Sequence, residues 1–270
     1  MSLKPQFDFG ENWSDFSANA LTSERIRQAR EEFAGFMARG TAGIVRKSFL
    51  DIGFGQGLSL LSAASMGAVA VGCDLNPKCA QVLERNRQHY PEVAGRAIPV
   101  VVGSILDPVT LDTLKKLAPG ELGYDIVHSW GVLHHTGSMW QGIDNAASLV
   151  RPGGTLFLAL YNRHWTSPVW AAIKYCYVRW PDWMQRMIVG VCYPVILAAK
   201  WAVTRRNPMS MDRGMDFYYN VVDWVGGYPY EYASTAEVAR HLERCHFVLR
   251  ASTPANVPTG CNEYVFVRQP

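Results

Sequence analysis

Asp51, Gly53, Gly55 and Gly57 fall at alternate positions between a short apolar run, Ser48–Ile52, and a helix-forming stretch that begins at Leu58. Glycines let a backbone turn sharply and come close to a ligand that a Cβ would block. Asp74 ends the next apolar run, seventeen residues after Gly57, where a carboxylate can accept from both hydroxyls of a ribose. The bend and the acid together, placed between strand and helix, predict a nucleoside-containing cofactor. The spacing is G-x-G-x-G, not the G-x-G-x-x-G of a dinucleotide fold. A carboxylate at Asp51 would repel a pyrophosphate and suits a cationic amino-acid group instead.

His134 and His135 follow a fourth apolar run, at the sheet edge where ligands bind in open α/β architectures. An imidazole there can take a proton near neutral pH. His135 is the first choice for a general base, with His134 beside it; the competing reading is that both rings pack or hydrogen-bond the loop. The segment Asp223–Glu231 is held by Gly226, Gly227 and Pro229. Asp223, Tyr228 and Tyr230, with Tyr161, are candidates for lining an acceptor pocket, against the alternative of a purely structural turn. The six cysteines include no C-x-x-C pair and no cluster with histidine at zinc-ligand spacing, so no metal is expected.

The elements that must position these groups alternate. Strands are predicted at 48–52, 68–73, 98–102, 124–129 and 155–160, and helices at 23–39, 58–66, 77–89, 109–117 and 143–150. Short apolar strands separated by helices imply a parallel sheet covered on both faces. A helix at 235–245 and strands at 247–251 and 263–268 complete the pattern, with room for the last strand to enter antiparallel. Residues 1–22 read as an aromatic arm with no regular element, able to fold over the cofactor as a lid or to dock on the sheet edge. Residues 162–234 interrupt the alternation and hold six of the nine Trp and eight of the twelve Tyr. Between Arg163 and Arg213 there are eight basic and two acidic residues, so this stretch is net +6 while the whole chain is only +3.

At Asp51–Gly57 and Asp74 the sequence resembles the class I S-adenosylmethionine-dependent methyltransferases. Gly103-Ser104-Ile105 stands where that family has its adenine-contacting turn, and Leu149–Gly154 is similar to its turn before the fifth strand. Trp130–His135 matches the segment after the fourth. The resemblance implies a Rossmann-like, seven-stranded, mostly parallel sheet of order 3-2-1-4-5-7-6, with strand 7 antiparallel and residues 162–234 as a helical, aromatic substrate cover between strands 5 and 6. The core would then be 23–161 with 235–270. It implies S-adenosylmethionine as cofactor and S-adenosylhomocysteine as product, held by Asp51, Gly53, Gly55, Gly57, Asp74, Leu75, Ser104 and Ile105. Trp130 is expected either on the cofactor's methionine portion or in the core under the loop. Many relatives have Asp where this chain has Ser104, which leaves Asp107 as an alternative partner for the adenine. No N/D-P-P-Y/F motif follows the fourth strand, which argues against methylation of a base's exocyclic amine.

With 26 Lys and Arg against 23 Asp and Glu, the chain lacks the strong positive charge of a dedicated nucleic-acid binder. The start of the sequence is polar and acidic, so no secretory signal is expected. Met187–Val203 is broken by Pro194 and Lys200 and falls short of a comfortable membrane span. A cytoplasmic methyltransferase of a small molecule, with O-methylation of an aromatic, apolar or anionic metabolite, is the leading expectation. The alternatives are an enzyme of lipids or quinones that touches a membrane surface through 187–203, and a non-catalytic nucleoside-binding protein that kept the fold. A homodimer is a further possible arrangement.

Overall fold

The computed structural model describes residues 7–120, 122–205, 207–209 and 215–270. The strands β1 (Ser48–Ile52), β2 (Val69–Asp74), β3 (Val100–Val102), β4 (Tyr124–Trp130), β5 (Val150–Tyr161), β6 (Phe247–Thr253) and β7 (Cys261–Arg268) form one sheet in the order 3-2-1-4-5-7-6. β7 runs antiparallel to β5 and β6, and the other pairings are parallel. The helices are α1 (Phe9–Asn19), α2 (Ser23–Ala38), α3 (Leu58–Ser65), α4 (Pro77–Arg87), α5 (Pro108–Leu117), α6 (Met139–Ser148), α7 (Ser167–Tyr177), α8 (Asp182–Thr204), α9 (Phe217–Gly226) and α10 (Thr235–Glu243).

β1 buries all five of its residues, as a central strand covered on both faces must. Its side chains alternate between two cores. Phe49 packs with Phe33 and Phe36 of α2, while Leu50 and Ile52 pack with Ile143 of α6 and Leu242 of α10. The strand-to-helix turns carry their own signals. Asn76 and Asp107 cap α4 and α5 through their side-chain oxygens, and each is followed by a proline whose missing N–H costs nothing at a first turn.

The arm departs from expectation. Phe9–Asn19 is a regular helix whose first turn is capped by Asp8, which accepts from the Glu11 N–H. Its helicity comes from docking: Phe16 and Asn12 are buried where α1 lies across α4 and α9. The helix expected at 143–150 instead starts at Met139 and ends at Ser148. Its first N–H, on Met139, donates to the carboxylate of Glu231, a distant partner that no local pattern reveals.

Residues 162–234 contribute α7, α8 and α9, which share a small core of Tyr177, Val189, Phe217, Val221 and Val225. The group is tied to the sheet domain by an Arg25–Asp216 ion pair at 2.7 Å and by the Glu231 N–H donating to the His134 carbonyl. α10 then opens with a complete capping box between Ser234 and Glu237. Replacing Ser234 by Ala removes one half of that box. The expected cost is about 1 kcal/mol, lowering the melting temperature by about 2–4 °C in calorimetry.

Candidate functional site

The bend after β1 is made of three left-handed glycines, Gly53 (φ +71°), Gly55 (φ +53°) and Gly57 (φ +81°). A Cβ on Gly53 would stand 2.4 Å from the Val132 side chain, so the strand 4 loop can lie directly on the bend. The Gly55 N–H donates to Asp74 Oδ2 and the Asn76 N–H to Asp74 Oδ1, both at 2.9 Å. Burial raises the Asp74 carboxyl above its ordinary range, against the pull of these two donors. Each carboxylate oxygen can accept more than one hydrogen bond, so Asp74 keeps capacity for hydroxyl donors.

Asp51 lies on β1 directly opposite His128 of β4 and is almost fully buried. Its Oδ1 accepts from His128 Nδ1 at 2.7 Å, while Oδ2 has no partner among the described residues. A buried carboxyl oxygen without a hydrogen-bond donor is costly. These two acceptors fit a ligand that donates from an ammonium at one end and from ribose hydroxyls at the other.

The remaining residues expected at the cofactor are spread along the same edge. Leu75 follows Asp74 and is half exposed, and Ile105 is buried in the core. Ser104 Oγ accepts from the Leu106 N–H within its turn. The Asp107 carboxylate is engaged by the N–H groups of Val109 and Thr110 and by the Thr110 hydroxyl. Trp130 Nε1 donates to Glu263 of β7 at 3.0 Å. α1 covers the bend: a Cβ on Gly55 would sit 3.0 Å from Trp13 Nε1, and Asn76 fills the space beside Gly10.

A second constellation lies where the 162–234 segment meets the ends of β4 and β5. Lys174 of α7 is fully buried, and its ammonium donates to the Trp224 carbonyl. Nζ stands 5.6, 4.7 and 4.9 Å from the ring centres of Tyr161, Trp224 and Tyr230, an arrangement of π faces that favours a cation. Burial nevertheless pushes its pKa down to about 7, and burial pushes the Asp223 carboxyl up to about 7. The Asn12 amide of α1 donates to Asp223 Oδ1 at 2.7 Å and to the Tyr219 carbonyl at 3.3 Å, joining the arm to this constellation.

His134 and His135 form one wall. The His134 ring lies 4.0 Å from that of Tyr161, its Nδ1 accepts from the Tyr161 N–H, and its Nε2 has no partner among the described residues. His135 Nδ1 donates to the Pro229 carbonyl at 2.6 Å, and Phe9 of α1 stacks 4.8 Å from its ring. Burial, with the nearby Lys174 charge, drives the His135 pKa down to about 3, so the ring is neutral at physiological pH.

Of the residues expected to meet an acceptor, Tyr161, Tyr230 and Asp223 converge on Lys174. Tyr228 instead meets Tyr175 of α7 edge to face at 5.6 Å. Sequence reading passed over Lys174 and Asn12. The signal for Lys174 was its place on the inward face of α7 with Ser167 and Tyr177, at intervals of seven and three residues. Sequence reading also missed a surface grouping of Asp144, His241 and Cys245, whose ligand atoms lie within 4.8 Å of one another. His241 lies in the last turn of α10, Cys245 in the turn just after it, and Asp144 arrives from α6. His241 Nε2 and Asp144 pair at 2.6 Å.

A family profile described as a methyltransferase domain matches residues 21–207. The ubiquinone biosynthesis O-methyltransferase of Vibrio atlanticus is 26% identical over 171 residues, covering 63% of this chain. The chain spans 66% of that relative's length, just under two thirds. The Klebsiella pneumoniae protein of the same name is 28% identical over 186 residues, 66% of this chain and 71% of its own. In fold, the chain is similar to a magnesium protoporphyrin IX methyltransferase from Synechocystis PCC 6803 with bound SAH, at a TM-score of 0.54 and 15% identity, covering 96% of this chain and 94% of that one. A Listeria monocytogenes protein described as an S-adenosylmethionine dependent methyltransferase gives 0.52 at 15% identity, covering 90% and 99%.

The buried lysine makes stability depend on pH with a definite sign. Native Lys174 gives up its proton near pH 7, whereas the unfolded chain keeps it towards the free-lysine value. Native stability therefore gains as pH rises above 7. Urea unfolding of wild type and Lys174→Met should show the difference moving towards the wild type by about 1–3 kcal/mol between about pH 7 and pH 9. A difference that does not change with pH would contradict the desolvated lysine.

Proposed function

The chain belongs to the class I S-adenosylmethionine-dependent methyltransferase family, and we propose that it moves the cofactor's methyl group to a hydroxyl oxygen of a small acceptor that carries or develops negative charge. The observation that carries this reading is the pairing of an unpartnered, buried carboxylate oxygen at Asp51 with the glycine bend and Asp74. In that assignment Asp51 faces the amino-acid ammonium and Asp74 the ribose hydroxyls, with Leu75, Ser104 and Ile105 along the adenine side. The bound cofactor supplies a methyl group on an electrophilic sulfonium.

The acceptor side is assigned to the cage around Lys174. Tyr161, Trp224 and Tyr230 offer flat apolar faces, and the Lys174 ammonium is the charge partner of an acceptor oxygen as its proton leaves. A group whose proton affinity lies near 7 matches proton transfer at neutral pH better than one near 3. Lys174 thus takes the proton-handling role that the sequence suggested for His135. The two histidines hold the wall of the pocket as neutral rings. Relatives named for ubiquinone biosynthesis favour an aromatic hydroxyl as acceptor. A lipid or quinone acceptor at a membrane surface is the second reading, favoured by the exposed apolar residues of α8. We place the reaction in the cytoplasm, a reducing compartment that suits six cysteines outside any disulfide among the described residues.

The test has two arms. Calorimetry with S-adenosylhomocysteine should show submicromolar to micromolar binding by the wild type and a loss of about a hundredfold or more in Asp74→Ala, since that change removes hydrogen bonds to two ribose hydroxyls. Unchanged affinity would refute the ribose assignment. A metabolite extract incubated with methyl-labelled cofactor then identifies the acceptor. With that compound, Lys174→Met should lower kcat by about a hundredfold while leaving cofactor affinity intact, and His135→Ala should be the milder change. The reverse order would return the base to His135.

A further inference from the structure

α8 is built unlike its neighbours. A surface helix of a folded domain normally turns an apolar stripe inward and a polar side to water, as α2 does with Arg27, Glu24 and Glu31 outside. The inward side of α8 carries Val189, with Ile188, Cys192, Tyr193, Ile196 and Leu197 against the core of the 162–234 segment. Its outward side is apolar as well. Trp183, Met187, Val191, Val195, Trp201 and Val203 are each more than half exposed. The first four recur at intervals of four residues and so line one face. Between Met187 and Val203 no exposed position carries a charge; Lys200 is partly buried and donates to the Pro208 carbonyl.

A helix that is apolar all round belongs in a core or in lipid. Charge decides what covers this one. From residue 183 to 211 the sequence holds Arg186, Lys200, Arg205 and Arg206 and no acidic residue. A second copy of the chain would bring the same positive charges to a two-fold contact. Anionic lipid headgroups complement them. Trp183 and Trp201 stand near opposite ends of the helix, about 27 Å apart along its axis, and indole rings favour the boundary between headgroups and acyl chains. α8 is long and apolar enough to cross a bilayer, but Val189 is buried and Ile188, Cys192, Tyr193, Ile196 and Leu197 pack on the segment's core, so lying along the surface is the orientation that keeps those contacts.

We propose that the outward face of α8 docks on an anionic bilayer surface, with Val191 and Val195 reaching the acyl boundary and Arg186 and Arg205 among the headgroups. The docking goes beyond the methyl-transfer reading and does not depend on it. The probe is co-sedimentation of the full chain with vesicles of phosphatidylcholine alone or mixed with phosphatidylglycerol. The wild type should sediment with the mixed vesicles and remain in solution with the neutral ones, and about 0.5 M salt should release it. V191E/V195E and R186E/R205E, all at exposed positions, should each lose about tenfold or more of the apparent affinity while keeping the wild-type melting temperature. Wild-type protein that ignores both vesicle types, or V191E/V195E that binds as well as wild type, overturns the proposal. So does a solution dimer that V191E/V195E dissociates in the absence of any vesicle binding, which would give this face to a second copy.

Discussion

A carboxylate taken out of water at the end of the central strand constrains everything around it. Burying one ionised group costs several kcal/mol unless it is paired and hydrogen-bonded, of the order of about half a small domain's net stability. Asp51 meets half of that demand inside the protein, because the parallel register sets His128 of β4 directly across from it. The second oxygen points where the chain itself supplies no donor among the described residues. The glycine bend follows two residues later and removes the side chains that would otherwise cover the position. In the proposed assignment an amino-acid cation meets this electrostatic deficit, and the G-x-G-x-G spacing is the backbone shape beside it. A pyrophosphate would meet the same carboxylate as a repulsion.

The acceptor half, as proposed, rests on a related imbalance with the signs reversed. Lys174 has one carbonyl and three aromatic faces around its ammonium in place of a full hydration shell. π faces return part of the lost hydration, about 2 kcal/mol in desolvated cases, which is less than burial removes. The result is a base of about neutral proton affinity. In the proposed reaction the acceptor hydroxyl passes its proton to the neutral Lys174 amine, and the ammonium so formed stabilises the oxygen that then attacks the methyl group as the C–S bond breaks.

Much of the sheet was legible because several strands are compact apolar runs bounded by turn chemistry, whereas β5 starts at Val150 and takes in Pro152–Gly154, which the sequence reads as a turn. Ser48–Ile52, Val69–Asp74 and Tyr124–Trp130 need no distant information to be recognised, and Asn76-Pro77 and Asp107-Pro108 announce the helices that follow. The residues proposed for the cofactor could be named from sequence for the same reason, being written into two strand-to-helix turns. The acceptor half was not legible. Lys174, Asn12 and Asp223 come from three elements far apart in sequence, and each is ordinary by residue type; only their convergence is unusual. The helix in residues 9–19 was missed because its order depends on docking against α4 and α9. The start of α6 was misplaced because its cap, Glu231, is 92 residues away.

The arm joins the two halves. α1 lays Trp13 on Gly55 and hands the Asn12 amide to Asp223, so one helix covers the bend and touches the acceptor constellation at once. Its attachments are modest: a hydrogen bond to a charged group is worth about 1.5–3 kcal/mol and one to a neutral group about 1. Against them stand Asp51 Oδ2, Gln56 Oε1 and His134 Nε2, buried polar atoms with no protein partner among the described residues, each costing about 1–3 kcal/mol while unmet. Phe16 of the arm is fully buried and Lys78 pairs with Asp8 and Glu11, so apolar burial and surface charge add to the arm's hydrogen bonds in holding α1 over the bend.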